Sequence, residues 1–337
     1  MIGIIVLTVV YVTHPLQRAK LSQLFKKAAD DPTKIRQNPI HIASRISDSV
    51  KQDIGPRVDK FRYRNLPRID IKDSDWDNII LIDACRWDLF NQNAVGLDSD
   101  TEAQPAISVG TGTTEYLEKT YADDIWHDTV YVSANPQIER HGYISQFHKV
   151  IKVWETGWDE DLQTVPPEPV SKKALSAYNN YPNKRIIVHY LQPHMPFIGE
   201  TGEDIRHGGT VPIGAEERDA PKIWTLLKRG EIDKQLAWKA YSENLDIVLP
   251  EVQKLLNAFN GKTIFTSDHG NAFGEWGTFG HPSNHPIYPL CVVPYLEQTQ
   301  NGRKDTYSEP PEDSLQADQE EVKSKLRALG YVDKSLK

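Results

Sequence analysis

Cysteine is scarce: Cys85 and Cys291 are the only two in 337 residues, each in or beside an apolar run. That excludes a disulfide framework, reads both as buried thiols, and permits a reducing compartment. Positive charge is not in excess either. A net charge of -8 and a pI near 5.8 argue against a surface that wraps a polyanion, so no nucleic-acid partner is expected. Long hydrophobic runs are missing as well. The first twelve residues, Met1 to Val12, are almost wholly apolar, but a spanning helix needs about 20 such residues. They also lack a basic lead-in and a small-residue cleavage site, so neither a spanning helix nor a signal peptide is expected. A buried strand or a shallow membrane contact remains. Leu16, Leu21, Leu24 and Phe25 alternate with Arg18, Lys20, Lys26 and Lys27 on a helix-like stretch, which keeps a peripheral membrane contact as the minority reading of a cytoplasmic protein. No internal repeat is visible.

What is present are two apolar runs that end on chemistry. Asn78-Ile79-Ile80-Leu81-Ile82-Asp83 places an acid after four aliphatics, and Lys262 to Thr266 leads into Ser267-Asp268-His269-Gly270. Continuous apolar runs suit parallel strands covered on both faces, and open α/β sheets gather their ligands at strand carboxyl ends. Neighbouring strand residues point to opposite faces, so Asp268 and His269 share one ion only where the strand gives way to a loop. Gly270 is read as supplying the backbone freedom for that change. Either acid alone reads most simply as a turn or helix-cap residue. Both together, with an imidazole attached, read as metal ligands.

The rest of the chain supports one sizeable α/β domain with decorations. Residues 1–75 form a helical and extended arm, polar and dotted with prolines from Asp31. The core domain runs over 76–297, and 298–337 hold a loose polar linker and a closing helix. Strands are expected over 78–83, 129–136, 150–154, 185–191, 262–266 and 289–294, and helices over 86–91, 115–121, 172–181, 223–228, 231–259 and 320–329. Arg86, directly after Asp83, is either a contact to a bound anion or a first-turn partner of Asp88. The stretch Ala106 to Leu117, rich in glycine and hydroxyl residues, leads into a helix. Such a start presents backbone N–H groups to an oxyanion and offers a hydroxyl nucleophile, although a plain threonine cap explains it too. His194, between two prolines after a strand, is placed to donate to a substrate oxygen. The glycine-rich, polar stretch 200–221 reads as a lid or an insertion facing the site.

In this order the pieces resemble the alkaline phosphatase superfamily, in its sulfatase-like branch with the sulfatases and lipoteichoic acid synthases. The resemblance is carried by Asn78 to Asp83, Ser108 to Thr113, His194-Met195-Pro196-Phe197, Thr266-Ser267-Asp268-His269-Gly270 with Gly274 and His281, and Lys325 to Val332. It implies a three-layer sandwich with a central, mainly parallel sheet. It also implies one divalent metal ion (Mn2+, Zn2+, Ca2+ or Mg2+) held by Asp83, Asp268 and His269, with Thr113 as metal-bound nucleophile and Thr111 and Thr114 as alternatives. His194 resembles the family histidine that touches the transferred group, and His281 a second such contact.

The Cys-x-Pro-x-Arg motif that sulfatases of this branch oxidise to formylglycine does not occur here. The function so implied is a metal-dependent hydrolase or transferase acting on a phosphate, less readily a sulfate, ester of a small molecule, glycan or lipid carrier. The alternatives are transfer of a phospho-headgroup between lipid or glycan carriers, and a non-catalytic family member that binds a metal or glycan.

Overall fold

Ile79 to Ile82 have no exposure at all, which a strand achieves only when both faces of its sheet are covered. Burying each contributes on the order of 2 kcal/mol, and this fixes β1 (Asn78–Asp83) at the centre of the sheet. In this computed structural model, which describes residues 51–53, 55–93, 97–99, 101–207, 223–312 and 319–331, β1 pairs in parallel with two strands. These are β6 (Gly261–Ser267) and β5 (Arg185–Pro193). The remaining strands of the main sheet are β2 (Gln104–Ile107), β3 (Trp126–Ser133), β4 (Phe147–Lys152) and β9 (Val292–Gln300). The seven strands run in the order β2-β9-β6-β1-β5-β3-β4. All but β2 and β9 form a continuous parallel set, and β9 runs antiparallel to both of its neighbours. Two short strands, β7 (Ala272–Phe273) and β8 (Phe279–Gly280), pair with each other alone.

Helices flank this sheet, giving the three-layer α/β sandwich that was expected. They include α1 (Trp87–Asn93), α2 (Thr113–Tyr121), α3 (Pro167–Asn180), α4 (Lys234–Ala258) and α5 (Gln319–Ala328). α4 begins later than its apolar pattern suggests, because the Asp233 carboxylate caps it, accepting from Gln235 N at 2.7 Å and Leu236 N at 3.2 Å. α3 begins earlier, since Pro167 in its first turn needs no hydrogen-bond acceptor. The chain divides into Met1–Ile54 and Gly55–Lys337, and the sheet belongs to the second unit. Among the described residues no helix is long and apolar enough to cross a membrane. The readings of Met1 to Val12 and of the basic stretch after it lie outside the described residues, as does 208–221 of the expected lid or insertion.

Two stretches are more ordered than their polar composition suggests. Residues 200–207 are helical, and Thr201 is held by Glu243 of α4, which accepts from its N–H at 2.8 Å and its hydroxyl at 2.5 Å. The stretch expected to be loose from residue 298 is instead β9 to Gln300 and then an anchored strap. Arg303 pairs with Asp75 and Asp77, Glu309 with Lys184 at 2.7 Å, and Glu312 with Lys149 at 2.9 Å, so charge complementarity fixes a segment that hydropathy alone reads as linker.

Candidate metal centre and threonine site

Register brings the two acids together. Ile82 of β1 lies opposite Ser267 of β6, so one residue further on Asp83 and Asp268 leave their strands side by side. On the other flank Asp83 lies opposite Pro193, the last residue of β5, and His194 follows. β3, the next strand out, ends at Ser133 just before Asn135. Four adjacent parallel strands thus deliver Asp268 with His269, Asp83, His194 and Asn135 to one edge, the crevice where open α/β sheets place their chemistry.

Each carboxylate has one oxygen held and one bare. Asp268 Oδ1 accepts from Ala84 N at 3.0 Å and His269 N at 2.8 Å, and Asp83 Oδ2 accepts from Asn135 Nδ2 at 2.8 Å and the Tyr331 hydroxyl at 2.6 Å. Asp268 Oδ2 and Asp83 Oδ1 are buried without a hydrogen-bond partner. These bare oxygens are the ones that face His269 Nε2, at 3.3 Å and 3.6 Å. Ligands bound about 2.0–2.2 Å from a shared ion at tetrahedral angles stand about 3.3–3.6 Å apart, so the spacing fits a cation at their common centre. The His269 ring is oriented for it, because Nδ1 donates to Gly270 O at 2.8 Å and leaves the Nε2 lone pair facing the acids. Two fully buried carboxylates without a counter-charge are costly, and burial, then the Asp268 charge, push the Asp83 carboxyl well above its usual range. Asp83, Asp268 and His269 are the one group of potential metal-binding side chains found among the described residues.

Of the three candidate threonines, Thr113 alone reaches this centre. Its Oγ1 lies 3.1 Å from His269 Nε2. It is the first residue of α2, whose amino terminus has no side-chain cap, so the positive end of the helix dipole sits at the cluster. Thr111 is committed to the Glu115 carboxylate at 2.6 Å and the Pro282 carbonyl at 3.0 Å, and Thr114 bonds His141 at 3.3 Å. The other histidines complete one wall. His194 Nε2 and His281 Nε2 are 2.9 Å apart, one donating to the other, and the His281 ring stacks on His269 at 4.6 Å. Burial pushes the His194 imidazole down to about 4, which keeps it neutral.

Arg86 turns out differently. Its guanidinium donates to both Asp88 oxygens at 2.7 and 2.6 Å, to Glu275 at 2.8 Å and to Asn271 O at 3.1 Å, and lies against the Trp238 ring. The salt-bridge reading describes this residue, since the carboxylates take the donors an anion would need. Gly270 also has a different reason from the one expected. An added Cβ would stand 2.1 Å from the Pro289 carbonyl oxygen, so the position demands space rather than an unusual backbone angle. Gly270→Ala is therefore expected to cost at least about 2 kcal/mol through a forced backbone shift. A lowered urea midpoint would show this, and a variant as stable as the parent would contradict it.

Backbone strain does occur one step away, at Ala84, with φ of 62°. Its N–H is held by Asp268 and its carbonyl accepts from the Tyr241 hydroxyl, so the turn that separates Asp83 from Cys85 is fixed at both ends. Cys85 itself is fully buried, and burial raises its thiol well above the usual value, which makes it inert. Sequence reasoning missed Asn135, Tyr331 and Asn244. The Asn244 amide donates to His194 O at 3.0 Å and Pro196 O at 3.1 Å and accepts from Ile198 N at 2.7 Å, fixing the loop that carries His194.

No protein-family model and no curated protein matches the sequence. Solved structures similar to the chain include the integral membrane lipooligosaccharide phosphoethanolamine transferase A (EptA) from Neisseria meningitidis, at 14% identity and a TM-score of 0.48, over 83% of this chain and 60% of that one. The chain thus spans less than two thirds of that protein's length. The lipoteichoic acid synthase LtaP from Listeria monocytogenes is 14% identical over 68% of this chain and 66% of its own, with a TM-score of 0.41. A putative sulfatase from Bacteroides fragilis is 12% identical over 73% and 70%, with a TM-score of 0.37. The chain is thus similar in structure to a transferase, a synthase and a putative sulfatase.

Proposed function

We propose that this chain is a metal-dependent enzyme that cleaves a phosphate ester through Thr113 and passes the phospho group to water or to an acceptor alcohol. One observation carries the reading: the only unpartnered oxygens of Asp83 and Asp268 face His269 Nε2 at ion-sharing distances, with the Thr113 hydroxyl beside them. Asp83, Asp268 and His269 would hold the cation. A hard divalent ion there would lower the pKa of a nearby hydroxyl and take up charge on a non-bridging ester oxygen.

The chain's own groups divide the remaining work. Thr113 Oγ1 releases its proton to water and forms the bond to phosphorus as the ester oxygen leaves, giving a phosphothreonine that the acceptor then resolves. The open amino terminus of α2 adds fixed positive potential where the transferred group gathers charge. His281, hydrogen-bonded to His194, donates the proton that the leaving oxygen needs. Phosphate is favoured over sulfate because Cys85 is sealed in the core and no formylglycine motif is present.

A panel of phosphate and sulfate mono- and diesters, assayed with Mn2+, Zn2+, Mg2+ or Ca2+ and with or without added alcohols, tests this. Turnover of a phosphate ester that requires the metal supports the reading, and new esters formed with alcohols identify a transferase. An ion bound without turnover of any ester would make the chain a binding protein instead.

A further inference from the structure

We propose that Tyr331, delivered by the carboxyl-terminal helix, is a positioning residue that aims both Asp83 and Thr113 at the cation. This rests on the metal and threonine reading above. The helix α5 is docked through Leu326 and Leu329, both buried, and through Lys325 Nζ, which donates to Trp154 O at 2.7 Å. It then ends in a turn that reverses the chain: Gly330 adopts φ of 84°, its N–H donates to Arg327 O at 3.0 Å, and Tyr331 N donates to Leu326 O at 2.9 Å. That paired arrangement is a Schellman cap, which needs a glycine at its left-handed position. The cap throws the Tyr331 ring back onto His194, stacked at 5.1 Å and 15°.

Accounting for the one phenolic proton assigns the roles. The Tyr331 oxygen lies 2.6 Å from Asp83 Oδ2, 3.1 Å from Asn135 Nδ2 and 3.3 Å from Thr113 Oγ1. The amide Nδ2 can only donate, and the nearby carboxylate is the strongest acceptor, so the phenol gives its proton to Asp83. Its remaining lone pair is left for the Thr113 hydroxyl. Once His269 Nε2 is engaged by an ion, that lone pair is the acceptor toward which the threonine proton turns, and the threonine's own lone pairs then point to the centre. The same phenol, with Asn135, occupies Asp83 Oδ2 and so leaves Oδ1 as the oxygen that meets the cation. Partners of this kind beyond the ligands are typically worth about 10–100-fold in metal affinity or activity.

The test uses Tyr331→Phe, which keeps the stacked ring and removes only the oxygen, and Gly330→Ala, which strains the turn. Direct titration with Mn2+ alone is expected to show affinity weakened about 10–100-fold in Tyr331→Phe, with the melting temperature of the metal-free protein unchanged. On a phosphate ester turned over by the parent, kcat is expected to fall by about the same factor with KM nearly constant, and Gly330→Ala is expected to move both readouts in the same direction. Parent-like Mn2+ affinity and kcat in Tyr331→Phe would overturn the assignment while leaving the metal and threonine reading intact. Failure of the parent itself to take up an ion would overturn that reading, and this one with it.

Discussion

Asp268→Ala protein is expected to lose its divalent cation and its turnover together, turnover by at least about a thousandfold. Asp268 does two jobs at once. Its Oδ1 holds the strained turn at Ala84 and the His269 backbone, and its Oδ2 is bare toward the centre. Alanine removes both, so Asp268→Asn is the sharper companion. It can keep an oxygen on Ala84 and His269 while removing the charge. Without metal, Asp268→Asn is expected to melt no lower than the parent, because it relieves the repulsion that raises the Asp83 carboxyl. With metal at about a hundredfold over its Kd the parent gains about 2.7 kcal/mol, and neither variant should gain comparably. Parent-like stabilisation or turnover in Asp268→Ala would contradict the account.

Thr113→Ala is expected to lose turnover by at least about 10^4-fold while still binding the ion. The separation matters, because the carboxylates and imidazole remain and only the nucleophilic oxygen goes. Thr113→Ser retains an oxygen at the start of α2 and is expected to keep activity to within about tenfold. Acid-quenched parent enzyme with a phosphate ester should carry a phosphoryl group on Thr113, found by peptide mass analysis. Thr111 and Thr114 are bonded elsewhere, so their alanine variants should carry the adduct as the parent does. A fully active Thr113→Ala would remove the proposed nucleophile.

Much of the sheet and of the candidate site's three central side chains was legible in the sequence, because both are local. Ile79 to Ile82 and Thr263 to Thr266 are short aliphatic and β-branched runs, and the acids and imidazole follow them directly. A continuous apolar run marks such strands, and the residue after each parallel strand lands at the sheet's carboxyl edge. Asn135 has the same address after β3, but an amide is a weaker metal-ligand signal than an acid or an imidazole and drew no attention. Its role depends on β3 lying beside β5, which the strand order fixes and the sequence does not display. Tyr331 is further removed, since 248 positions separate it from the carboxylate it bonds and only the docking of α5 brings them together. Arg86 was open between two roles, and beside Asp88 the second carboxylate that pairs it, Glu275, comes from a 3-10 turn far along the chain. The anchored strap after β9 was misread because its ion pairs are likewise distant in sequence.

Anomalous diffraction from crystals grown with Mn2+ addresses the central claim most directly. The account predicts a single peak bonded by Asp83 Oδ1, Asp268 Oδ2 and His269 Nε2, with Thr113 Oγ1 beside it. Density for the ion elsewhere, or three empty ligands at saturating Mn2+, would contradict it.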